Sequence, residues 1–89
     1  MNNSELLKIY RYQIDTLDKE LIALFARRFE IVKQIWKIKK EDNIHPLEID
    51  RWNKLLEDNI EIWKEYLVSE KFVKEVWERI HKESLMLEK

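Results

Sequence analysis

A chain of 89 residues with no glycine, one proline and no cysteine excludes more chemistry than it admits. Without glycine there is no dinucleotide-binding G-x-G-x-x-G, no phosphate-cradling G-x-x-x-x-G-K-[ST] and no G-x-S-x-G nucleophile elbow. Without cysteine there is no disulfide framework, thiolate nucleophile or zinc finger. Seventeen basic against 18 acidic residues give a net charge of −1, so the long-range positive field of a nucleic-acid or anionic-membrane binder is missing.

A hydrophobic fraction of 45% beside 39% charged residues places the chain among folded proteins rather than disordered ones. The only imidazoles, His45 and His81, lie far apart in sequence, which argues against a metal site. No apolar run approaches the ~18 residues of a membrane span. Met1 to Glu5 lacks a basic start followed by an apolar stretch. The expectation is a soluble, cytoplasmic, all-α protein whose residues 1–89 form a single domain. At this size its own core is thin, and association with a second copy would offset that.

Three helices are predicted, over 4–41, 48–66 and 70–88. In the first, Leu7, Tyr10, Ile14, Leu17, Leu21, Leu24, Arg28, Ile31, Ile35 and Ile38 recur at steps of three and four, a heptad seam held over more than four heptads. At ~1.5 Å per residue such a helix exceeds ~50 Å, more than three helices of one small chain need to cover themselves. The rod is expected to pair with a second copy. It ends at Asp42-Asn43-Ile44-His45-Pro46, where Asn43 can take the left-handed conformation that a glycine would otherwise supply, and Pro46 biases its predecessor away from helix.

The second helix carries Ile49, Trp52, Leu55, Leu56, Ile60, Trp63 and Leu67 on one broad face. The third carries Phe72 or Val73, Val76, Trp77, Ile80, Ser84 and Leu87. Between them Ser69 can cap the third helix, with Glu70 in its first turn. The four tryptophans, at 36, 52, 63 and 77, read as core, with Trp52 the one to test. His45 and His81 read as surface or interface residues.

Polar residues on apolar faces are the functional signal. Arg28 occupies a seam position, where an unpaired guanidinium costs several kcal/mol. An isolated seam arginine usually sets register or joins an intrahelical ion pair. Lys39, eleven residues on, returns to within ~20° of the Arg28 face; alone it would be one solvated lysine in a basic run. Ser84 interrupts the stripe of the third helix, where it can bond the carbonyl one turn back, and Glu88 shares its face at i+4. Glu48 and Arg51 are three apart at the start of the second helix and can face one side. Arg11 lies ~25 Å along the rod from Arg28 and can share a small-molecule site with it only if another chain delivers it.

Over nearly its whole length the sequence resembles the all-helical chorismate mutases, the AroQ class. The resemblance rests on Arg11-Tyr12-Gln13-Ile14-Asp15-Thr16-Leu17-Asp18, on Leu21 to Arg28, on Ile38-Lys39, Ile49-Asp50-Arg51 and on Glu83-Ser84. It implies an intertwined helical-bundle homodimer with three helices per chain, one very long and two shorter. It also implies a Claisen rearrangement of chorismate to prephenate, in aromatic amino-acid biosynthesis, with no cofactor, metal or covalent intermediate. The chemistry is positioning plus a preorganised field, because a dianionic substrate must be held compact while charge grows on the breaking ether oxygen.

Position by position, the resemblance implies that Arg28 and a second copy's Arg11 clamp carboxylates and that Lys39 stabilises the ether oxygen. Ser84 would seat a carboxylate, and Glu48 with Arg51 would line the ring-hydroxyl side. Two positions depart from the commonest pattern. Trp52 stands where many members have a Glu that receives the hydroxyl, and an indole cannot accept that bond. Glu88 stands where many have a Gln that donates to the ether oxygen, so Glu88 must carry a proton to donate. The alternatives left by the sequence are an isochorismate pyruvate lyase or a mutase of a chorismate analogue on the same scaffold, and a non-catalytic helical dimerisation module.

Overall fold

The computed structural model describes residues 1–88, which form three helices: α1 (Asn3–Glu41), α2 (Ile49–Glu65) and α3 (Glu70–Leu87). The bounds agree with the expected ones to within a residue or so, and the class is all-α as expected. Two compact units divide the chain, Met1–Ile31 and a second from Val32 onward. Among the described residues no helix is long and apolar enough to cross a membrane.

The first unit is the leading part of α1. Asn2 caps it: its Oδ1 accepts from the Glu5 backbone N–H at 2.8 Å, and its Nδ2 donates to the Glu5 carboxylate at 3.5 Å. That pair satisfies an orphan amide and places an acid where the helix dipole favours one. Leu7, Tyr10, Ile14, Leu17, Leu21 and Leu24, the expected seam, are each at least half exposed in the isolated chain.

In the second unit α2 and α3 pack as a helical hairpin together with the end of α1. Trp63 meets Trp77 edge to face, with ring centroids 6.0 Å apart, a preferred aromatic geometry. Val73 and Ile80 are buried from α3. The open choice between Phe72 and Val73 falls to Val73, which is fully buried while Phe72 is more than half exposed.

On the last turns of α1 the covered positions are Val32, Trp36 and Lys39, whereas Ile31, Ile35 and Ile38 of the expected seam remain exposed. Two stripes therefore run side by side there. One is covered within the chain, and the other is the continuation of the heptad seam.

Both helix ends that face loops close without glycine. After α1, Asn43 takes φ 56°, Ile44 N–H donates to Lys39 O at 2.8 Å and Asn43 N–H to Lys40 O at 3.4 Å. After α2 the same double bond recurs around Leu67 at φ 59°, from Val68 to Trp63 and from Leu67 to Lys64. Asparagine tolerates the left-handed region, while leucine is strained there by about 1–2 kcal/mol. Ser69 caps α3, its Oγ accepting from Phe72 N–H at 3.1 Å.

Candidate active site

The sharpest polar feature is a buried ammonium. Lys39 sits in the last turn of α1, where an exposed lysine would gain a few tenths of a kcal/mol from the helix dipole, yet it is buried. Its Nζ donates to the Pro46 carbonyl at 2.7 Å and to Glu88 Oε1 at 3.4 Å, and it pairs with Glu48 Oε1 at 3.2 Å. Three acceptors thus meet an ammonium that has three N–H bonds. The two carboxylates differ: the Glu88 side chain is 7% exposed and that of Glu48 50%.

Local structure explains how each group arrives. The turn around Asn43 and His45 folds the chain back so that Pro46 O faces Lys39; within it, Leu47 N–H donates to His45 Nδ1 at 3.1 Å. Glu48 is the N-cap residue of α2, with an extended backbone and no side-chain bond to the helix amides. Its carboxylate is turned to Lys39 instead of capping. Glu88 ends α3, its backbone N–H bonded to Leu85 O.

Ser84, one turn before Glu88, is buried and its Oγ donates to Ile80 O at 3.0 Å, the back-bond expected of it. Trp52 lies one turn after Glu48 on α2, and its indole stacks on the His81 imidazole with centroids 4.0 Å apart and planes 7° from parallel. His81, Ser84 and Glu88 stand at i, i+3 and i+7, one face of α3.

The structure thus brings Lys39, Glu48 and Glu88 into direct contact, with Ser84 and Trp52 on the same helix faces. Arg51 stands exposed on α2 outside this ion-pair cluster. Glu48, which spacing paired with Arg51, pairs with Lys39 because the extended N-cap conformation directs it back toward α1. Arg11 and Arg28 belong to the first unit, Arg11 exposed and Arg28 partly buried with interactions of its own. His81, expected at a surface or interface, is partly exposed and stacks on Trp52; its spacing from Ser84 and Glu88 was the signal available for it. The Pro46 carbonyl carries no such signal, since any residue has one.

Comparison with known proteins follows the same residues. Residues 10–89 match the family described as "Chorismate mutase type II". Over 88 residues, 99% of this chain, there is 32% identity to the bifunctional chorismate mutase/prephenate dehydratase of Buchnera aphidicola subsp. Acyrthosiphon pisum, of which the match covers 22%. Over 44 residues, 49% of the chain, there is 48% identity to the T-protein of Haemophilus influenzae, of which 12% is covered. The chain thus spans less than a quarter of the length of either relative. No solved structure matches it.

Proposed function

We propose that this chain, which belongs to the chorismate mutase type II family, catalyses the rearrangement of chorismate to prephenate. The observation that carries the reading is the buried Lys39, held by Pro46 O, Glu48 and Glu88 on a family scaffold. A [3,3] rearrangement breaks one C–O bond and forms one C–C bond with no external nucleophile or net proton transfer. What the protein must supply is a compact substrate conformer and positive charge at the ether oxygen.

Lys39 is the group for that oxygen. Its three N–H bonds face Pro46 O, Glu48 and Glu88, so a ligand must replace one acceptor. Glu48 is the one to give way, because half of its side chain is already in water, whereas Glu88 is enclosed. Once displaced, Glu48 is free to receive a substrate hydroxyl, with Arg51 three residues further along the chain. Glu88, within 3.4 Å of the same ammonium, donates to the ether oxygen in its protonated form. Ser84 seats a carboxylate by turning its hydroxyl proton from Ile80 O to a carboxylate oxygen.

The guanidinium groups complete the reading. Arg28 and Arg11 from a second copy of the chain clamp the two carboxylates by bidentate geometry. A homodimer is supported by the uncovered seam of α1, whose side chains are half or more exposed along Leu7 to Leu24; contiguous apolar surface of that extent marks an association face. Incubating the protein separately with chorismate and isochorismate and identifying products tests the proposal. Prephenate from the first is expected; salicylate and pyruvate from the second, or no turnover of either, refutes it.

A further inference from the structure

Among the described residues, Trp52 and His81 form a stacked ring pair on the helix faces that carry Glu48, Ser84 and Glu88. On α2 the indole follows Glu48 by one turn, and on α3 the imidazole precedes Ser84 by three residues. The rings are nearly parallel at 4.0 Å centroid separation, and both residues are only partly exposed. A tryptophan has two soft side-chain torsions, so an indole without a flanking surface samples several rotamers. A ring laid flat on one face of the indole removes that freedom.

We propose that His81 is a positioning residue: it clamps Trp52 as a rigid wall against which the substrate ring packs, and so sets substrate affinity. This rests on the mutase reading above. The wall is apolar and contacts the ring equally in the bound substrate and in the transition state, so its loss removes uniform binding. Imidazole contributes through its flat face rather than through proton transfer. Another flat ring of similar size therefore replaces it.

The test is steady-state kinetics with chorismate on wild type, His81→Ala, His81→Phe, Trp52→Ala and the double alanine variant. Expected for His81→Ala is a KM raised about ten-fold with kcat within about two-fold. His81→Phe should keep both constants within about three-fold of wild type, because the stack is rebuilt without a titratable ring. The double variant should be no worse than Trp52→Ala, as befits two residues acting as one unit. A role confined to folding would instead lower kcat through loss of active protein and leave KM alone.

An unchanged KM in His81→Ala, a His81→Phe variant as impaired as His81→Ala, or additive losses in the double variant overturns the proposal while leaving the mutase reading intact. Should His81→Ala fail to fold, His81→Phe and Trp52→Ala still decide it. A wild-type protein that does not turn over chorismate overturns both.

Discussion

Replacing Lys39 by methionine tests whether the ammonium is held as an ion pair or merely tolerated. Its Nζ lies 3.4 Å from the Glu88 carboxylate, and both side chains are at most a tenth exposed. At an effective dielectric near 20, a pair at that separation attracts by about 5 kcal/mol before desolvation is counted. Removing one partner of such a pair typically costs about 3–5 kcal/mol, because the remaining charge is buried without compensation. For Lys39→Met a loss of about 3 kcal/mol is expected, because the enclosed Glu88 carboxylate is left without its ammonium. Glu88→Leu should cost only about 1 kcal/mol, since Lys39 retains Pro46 O and the half-exposed Glu48. The double variant should recover most of the loss, giving a coupling of about 2–3 kcal/mol.

Urea unfolding followed by circular dichroism at one fixed protomer concentration measures all four stabilities. Activity separates from stability in the same set. The double variant is expected to fold and yet to lose about 100-fold or more in kcat, because the positive charge at the ether oxygen is gone. A Lys39→Met protein within about 0.5 kcal/mol of wild type, or a double variant no more stable than Lys39→Met, refutes the ion-pair account.

Glu88→Gln donates to the ether oxygen without needing a proton. The variant should keep kcat within about two-fold of wild type or raise it, while Glu88→Ala loses about 10-fold or more; a Glu88→Gln protein as impaired as Glu88→Ala would exclude Glu88 as the donor. Arg11→Ala and Lys39→Ala should each be inactive alone. Mixed and allowed to exchange subunits, they should recover about a quarter of wild-type activity, because half the dimers are mixed and each mixed dimer has one intact site; no recovery would place Arg11 outside the partner's site. Leu67→Gly should raise stability by about 1 kcal/mol, or about 4–8 °C in Tm, since the side chain is 94% exposed and only its φ of 59° is costly. Ser69→Ala should lower stability by about 1 kcal/mol through loss of the bond from Phe72 N–H, measured by the same thermal melt.

Near-neighbour physics was legible in the residues alone. Three helices follow from apolar spacing and from the absence of glycine and internal proline. Asn43 ends α1 and Ser69 starts α3 because each closes bonds within a few residues of itself. Ser84 bonding Ile80 O is likewise a one-turn event. Lys39, Glu48 and Glu88 stood out as polar intrusions or helix-end acids before their contact was visible.

What the residues could not decide is which surfaces meet. Val32, Trp36 and Lys39 are covered while Ile31, Ile35 and Ile38 are exposed, although the second set is the more apolar, because burial depends on where α2 and α3 return and not on local periodicity. Glu48 faced Arg51 by spacing and meets Lys39 in space. Leu67 adopts a left-handed backbone that its own propensity opposes, since only that conformation closes the end of α2 and turns the chain into α3. His81 became a partner of Trp52 through the same return. Helices and their caps were thus determined by the sequence itself, through interactions of short range. The Lys39 ion pairs, the stacked rings and the choice of covered stripe were decided by the tertiary structure, because each joins residues that only the return of the chain brings together.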